Sequence, residues 1–216
     1  MEPNTTESGE PRIARMFPLG SVLLPHAPLP LHIFEERYQQ LLNESLEDDR
    51  QFGVCLISRG WEVGGGDARV DIGTLARIED HRRFDDGRAA VACVGVRRIR
   101  VHEWLDDDPY PRAMISDAPG AAALEADTGR FRSAIDALDT WLATEHRLGR
   151  LANIPELEWP ADVEVATWQL ATILPMEAFD RQQILTADTF GERLRLLEDA
   201  LRSRTEDAER MAALDE

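Results

Sequence analysis

The sequence predicts an α+β fold, with strands gathered in the first half and helices in the second. Two observations carry this. Residues 12 to about 117 run in short apolar stretches bounded by Pro, Gly and Asp, as strands do, with one helix among them. Residues from about 122 to 214 repeat apolar positions three and four apart, as helices do. Segregated elements argue against alternating β/α units and leave α+β, or a β domain followed by a helical one. The expected division is a disordered segment 1–11, a β subdomain 12–118 and a helical subdomain 119–216.

The elements follow in order. Residues 13–17 open the chain, and Pro18, Pro25, Pro28 and Pro30 then predict an irregular entry, because proline breaks long regular elements. A helix fits 35–46, with Tyr38, Leu41, Leu42 and Leu46 on its apolar side. Residues 52–58 form a short apolar strand, and Gly64, Gly65 and Gly66 mark a loop tip. Strands over 70–84 and 88–105 are joined across Asp85, Asp86 and Gly87. Asp-Gly between two strand patterns signals a tight hairpin whose turn needs positive φ. A strand over 113–116 closes this half, and the spacing suggests a small barrel or sandwich. Beyond Gly120, Phe131, Ile135, Leu138, Trp141 and Leu142 fall at helical spacing. Helices fit 163–174 and 177–185, and Thr189 with Glu192 forms a capping box for a last helix carrying Phe190, Leu194, Leu197 and Leu201. The tail 203–216 is expected to be exposed and frayed.

Charge narrows the function. The chain of 216 residues is long enough for its own core and carries a net charge of −17. Residues 12–117 hold 14 Arg against 18 acids, whereas 118–216 hold 10 Arg against 20. A field of this sign repels phosphate backbones and anionic membranes. There is no lysine: all 24 basic residues are arginine. Arginine stays protonated, so Schiff-base chemistry, a Ser–Lys dyad and a phosphate-loop lysine are excluded for this sequence. No apolar run approaches the ~20 residues that span a bilayer, and the polar, acidic start resembles no signal or transit peptide, so the expected location is the cytoplasm. Cys55 and Cys93 sit in apolar strand-like runs and read as buried, reduced thiols.

Catalytic patterns are missing. His26, His32, His81, His102 and His146 show no ligand spacing, and no serine lies in a nucleophile elbow. Glu47, Asp48 and Asp49, like Asp106, Asp107 and Asp108, read as solvated runs. Neither cofactor nor metal is expected. Two binding features remain. Arg82, Arg83 and Arg88 flank the hairpin turn and offer a candidate phosphate-binding patch, against which stand the interleaved acids Glu79, Asp80, Asp85 and Asp86. Trp61, Trp104 and Tyr110 are candidate exposed anchors, the alternative being that they plug the ends of the β region. Trp141 and Trp168 read as core.

The stretch FPLGSVLLPHAPLPLHIFEERYQQLL, followed by FGVCLIS, DIGTLARIED, DDGRAAVACVGVRRIRV and PYPRAMI, resembles the Lon N-terminal substrate-binding domain family. The segment ILPMEAFDRQQILTADTFGERLRLLEDAL is similar to the helical part of that family. The resemblance implies a PUA-like β-barrel with one helix, followed by an α-helical bundle. It transfers recognition and not proteolysis, so the implied function is non-catalytic protein or peptide binding, as an adaptor or sensor in protein quality control. The implied partners are unfolded or partly folded polypeptides or a partner protein; nucleic acid is disfavoured and no membrane is expected. Phe34 and Tyr38, one turn apart, are expected to pack inward together, leaving Glu36, Arg37 and Gln40 toward solvent. The candidate peptide contacts are therefore Glu36, Arg37, Trp61, Trp104 and Tyr110. Two alternatives stay open: an RNA-binding module using Arg82, Arg83 and Arg88, and an enzyme with a site assembled only in three dimensions.

Overall fold

Residues 9–59, 68–124 and 127–214 are described by a computed structural model of the chain. In chain order its elements are β1 (Arg12–Leu19), β2 (Pro28–Ile33), α1 (Glu36–Glu47), β3 (Gln51–Arg59), β4 (Ala68–Arg69), β5 (Ile72–Arg83), β6 (Ala89–Leu105), β7 (Arg112–Asp117), α2 (Asp127–Arg147), α3 (Val163–Ile173), α4 (Ala178–Thr186) and α5 (Phe190–Leu214). The α+β class is as expected. Two compact units result: one holds the chain up to Pro119 together with 176–185, the other 120–175 and 186–216. The helical half is thus not a continuous subdomain from residue 119, because most of α4 groups with the strands. Gln182, on α4, donates to the Ile72 carbonyl at 2.9 Å.

In the first unit β6 is the central strand. Along one edge it pairs antiparallel with β5. Its other edge is shared, the first part pairing with β2 and the last part with β7. β5 continues to β3 and β3 to β4. β1 links the two sides by changing partner: residues 12–15 pair with β7 and residues 16–19 with β3. The two ladders meet at Met16, which pairs with Gly53 and donates its amide to the Pro111 carbonyl at 2.8 Å, and they do not run side by side beyond it. The closed barrel expected from the sequence is therefore not formed; the sheet is curled and bridged by a strand that switches edges.

The family-like motif residues serve this architecture. Phe17 stacks on Tyr38 with ring centroids 4.1 Å apart, and Phe52 lies 6.0 Å from Phe17. Tyr38, Leu41, Leu42 and Ser45, spaced three and four apart, are the buried face of α1. Burying a leucine to this depth contributes about 2 kcal/mol. Gly73 and Gly95 have no side chain because a Cβ would collide with the carbonyls of Val54 and Leu24. The close approach at Gly95 lets the chain at 23–27 cross the strands: Thr74 donates to the Leu23 carbonyl at 2.6 Å, and Gly95 exchanges backbone bonds with His26 and Ala27. Cys55 and Cys93 are buried free thiols, as expected.

Three local expectations are corrected. The proline-broken entry contains β2, whose residues 28–33 pair continuously with β6. Phe34 does not pack inward beside Tyr38; it is 61% exposed, one residue past the end of β2. The hairpin turn is not a tight primed turn: positive φ is confined to Gly87, and Gly87 and Phe84 close a three-residue loop through their bonds to Phe84 and Arg88.

The second unit is built by α2, α3 and α5. Ala134, Leu138 and Leu142 of α2, Trp168 and Leu170 of α3, and Phe190, Leu194, Leu197 and Leu201 of α5 are buried. Asp162 caps α3, accepting from the Glu164 and Val165 amides. At the start of α5 the Thr189 hydroxyl accepts from the Glu192 amide at 3.1 Å, the hydroxyl half of the expected capping box. Trp168 is core, with the buried Arg193 guanidinium 3.9 Å over its ring, whereas Trp141 is only half-buried. The tail is not frayed: α5 stays helical to Leu214, with Ala208 buried on it. No helix among the described residues is long and apolar enough to cross a membrane.

Candidate functional site

The residues singled out in the sequence separate into two places in the first unit. Glu36 opens α1 and is exposed. Arg37 is turned back on its own neighbours, paired with Glu35 at 2.9 Å and lying 4.6 Å over the Tyr38 ring. Trp104, on β6, is half-buried against the cluster of Met16, Cys55, Leu75 and Ile99, with the Arg69 guanidinium 4.7 Å over its other face. Arg69 is held in turn by Asp107 at 3.2 Å. The charges of Glu35, Arg37, Arg69 and Asp107 all act on the buried Tyr38 hydroxyl, whose pKa is pushed up to about 12, chiefly by desolvation. Arg37 and Trp104 therefore reinforce the core with guanidinium–ring stacking.

Tyr110 is not an exposed anchor. It is 4% exposed, and its hydroxyl donates to the Glu44 carboxylate of α1. Burial and that bond raise its pKa to about 12. The sequence misses this because Glu44 lies 66 residues away. Trp61 lies outside the described residues.

The hairpin arginines do not converge. Arg82 and Arg83 are consecutive in an extended strand and so take opposite faces. Arg83 bonds Asn43 of α1. Arg88 folds onto Asp86 at 2.7 Å. Arg82 alone stays on the outer face, 5.4 Å over the Phe84 ring.

That outer face carries a depression among the described residues. Registers across β2, β6 and β5 stack in rows: Pro30–Ala92–Asp80, then His32–Ala90–Arg82. One residue beyond the last pairs come Phe34, Arg88 and Phe84, and Phe84 donates its amide to the Arg88 carbonyl. The floor along β6 is alanine, whereas both walls carry larger side chains. A shallow depression results, lined by Pro30, His32, Asp80, Arg82, Ala90 and Ala92. Phe34 and Phe84, one residue beyond the last paired residues of β2 and β5, are exposed. Alternation of Leu29, Leu31 and Ile33 with Pro28, Pro30, His32 and Phe34 is the period-2 signal that could have revealed it; the prolines masked it.

Elsewhere the chemistry is quiet. Burial pushes the Cys93 thiol up to about 12, far from a nucleophilic thiolate. His102 bonds Ser116 at 2.8 Å, and His146 bonds the Leu151 carbonyl at 3.0 Å. Among the described residues no three His, Cys, Asp or Glu side chains are placed to hold a metal ion.

Comparison with known proteins matches residues 13–203 to the ATP-dependent protease La (LON) substrate-binding domain. Lon protease 2 of Herpetosiphon aurantiacus is 25% identical over 185 residues, covering 83% of this chain and 22% of that protein. Lon protease of Koribacter versatilis is 32% identical over 125 residues, covering 53% of this chain and 14% of that protein. The chain thus spans about a fifth or less of the length of these relatives. Among solved structures, the Lon N-terminal domain protein of Xanthomonas campestris is 25% identical with a TM-score of 0.59, covering 86% of this chain and 96% of that one. The N-terminal domain of Mycobacterium avium complex Lon protease has a TM-score of 0.60 at 16% identity, covering 88% and 98%, and shares the fold. With a match over most of its length and motif residues that build its core, the chain belongs to the Lon substrate-binding domain family.

Proposed function

We propose that this chain is a non-catalytic polypeptide-binding module, acting as an adaptor or sensor for unfolded or partly folded proteins. The observation that carries the reading is the trough on the outer face of β2, β6 and β5, with its alanine floor and its exposed Phe34 and Phe84. Large apolar side chains left exposed near a depression are what a recognition surface needs. Membership of a substrate-binding family supports the same reading. The strand order is read as a PUA-like arrangement opened at β1. Of the candidates from the sequence, Glu36 stays in this proposal as an exposed contact, and Trp61 as an untested one.

A labelled, permanently unfolded protein, such as reduced and carboxymethylated lactalbumin, tests the reading by fluorescence anisotropy. Saturable binding is expected, with little for the same protein in its native form. The double variant Phe34→Ser, Phe84→Ser should bind about tenfold more weakly, the equivalent of about 1.4 kcal/mol of lost apolar contact. Absence of saturable binding at high micromolar concentration, or equal affinity of the double variant, would overturn it.

A further inference from the structure

Resting on that reading, we infer that the trough takes an extended segment with a large apolar or aromatic side chain followed two residues later by an acidic one. We further infer that the segment is held by side-chain packing on the sheet face and not by strand addition. The first point comes from charge. In a chain of 41 acids and 24 arginines, Arg82 makes no ion pair among the described residues, and its one described contact is with the Phe84 ring. By contrast, Arg77 pairs with Glu79, Arg83 bonds Asn43, and Arg88 pairs with Asp86. An exposed guanidinium over an aromatic wall is left for a carboxylate brought by the ligand.

Spacing gives the pattern. Continuing the registers of β2 and β5 by one residue puts Phe34 and Phe84 in a row two residues, about 7 Å, from the His32–Arg82 row. An extended ligand places every second side chain on one face with the same repeat. One side chain can then sit between the two phenylalanines while the next on that face reaches Arg82 and His32. The third row carries Pro30, Ala92 and Asp80, so a small or basic residue suits the position after that.

The binding mode follows from the edge. β2 lies at the margin of this three-stranded region, and Pro28 and Pro30 carry no N–H. In an antiparallel ladder alternate residues point their N–H groups to the partner, so a β2 that pairs continuously with β6 leaves those missing donors on its free edge. An added strand would find few donors there, so affinity has to come from the face.

The test uses fluorescein-labelled ten-residue peptides with Trp at position 5 and Glu, Gln or Lys at position 7. Each is measured alongside the unfolded lactalbumin probe on the wild-type chain, Arg82→Gln and Arg82→Glu. The Glu peptide should bind about fivefold more tightly than the Gln peptide and tenfold more tightly than the Lys peptide. Arg82→Gln should erase the preference, and Arg82→Glu should reverse it. A Glu peptide with N-methylated amides at alternate positions should bind within about twofold of its parent if the face holds it. Unfolded lactalbumin that binds through Phe34 and Phe84, with no preference among the three peptides, would overturn the inference and leave the polypeptide-binding reading standing. Loss of binding on N-methylation would overturn the packing mode. If neither lactalbumin nor any peptide binds, both fall together.

Discussion

Two paired strands, β2 and the first part of β6, present two unlike faces. On one stand Leu31, Ile33, Ala89 and Val91, all buried. One residue along each strand, Pro30, His32 and Ala92 stand in the open. Pleating makes this possible, since successive side chains leave a strand on opposite sides. A small domain can thus carry a binding surface without weakening its core: the two sets alternate in sequence and are mechanically separate. Neighbouring substitutions should therefore have opposite consequences.

The widest contrast is between Ile33 and His32. Ile33 is 2% exposed, and Ile33→Ala should cost about 3 kcal/mol of unfolding free energy through lost burial and a residual cavity. His32→Ala, one residue away, should stay within about 0.5 kcal/mol while altering ligand binding. Urea unfolding of the two variants measures both. Equal destabilisation would break the two-face picture.

This contrast also shows what could be read from sequence. The order of strands and then helices was legible, because periods of 2 and 3.6 survive whatever the tertiary partners are. The hairpin was legible from Asp86-Gly87, although the loop closes with one positive-φ residue instead of two. β2 was hidden because prolines argue against strands, and only pairing on one edge reconciles Pro28 and Pro30 with a ladder. The site suffered most. Tyr110 and Trp104 looked like anchors because large aromatics near acidic runs can be either exposed or core, and only the remote Glu44 and Arg69 decide between them. Phe34 erred the other way: placed in the helix pattern it pointed inward, yet it lies just past β2 and before α1, where it is exposed.

A smaller effect sharpens the buried side of the comparison. Tyr110→Phe removes the hydroxyl that holds Glu44 and should cost about 1 kcal/mol at neutral pH. Glu44 has its pKa lowered, first by the Tyr110 hydroxyl and then by Gln40. A depressed carboxylate stabilises the fold above its unfolded pKa, about 4.3, and that stabilisation is lost as pH falls through the folded value. The wild-type chain and Tyr110→Phe should therefore converge in stability below that window. Tyr110 also titrates high, at about 12. A raised phenol pKa gives stability that is present below about 10 and lost as pH rises through the folded value. The variant should lack that part of the alkaline decline, while Tyr38, also near 12, retains its own. Parallel stability curves for the two proteins from pH 3 to 11.5 would remove Tyr110 from the buried framework and return it to the candidates for contact.

The smallest effect is expected where the sequence first pointed to phosphate. Combined substitution of Arg82, Arg83 and Arg88 by alanine removes three positive charges from the hairpin of an already acidic chain. Only Arg82 belongs to the open face; Arg83 reaches Asn43 and Arg88 is neutralised by Asp86. A phosphate-binding surface would need the three to act together, and each contact would steepen the salt dependence of binding. Because their side chains diverge, titration of single-stranded RNA at low salt should give the same weak association for wild type and triple variant, with no change in salt slope. Their affinities for a neutral unfolded polypeptide should differ by less than twofold, since the apolar walls at Phe34 and Phe84 remain. Strong RNA binding that the triple variant loses would mean that the outer face is read by charge and not by shape, with its arginines as the contacts and its phenylalanines as bystanders.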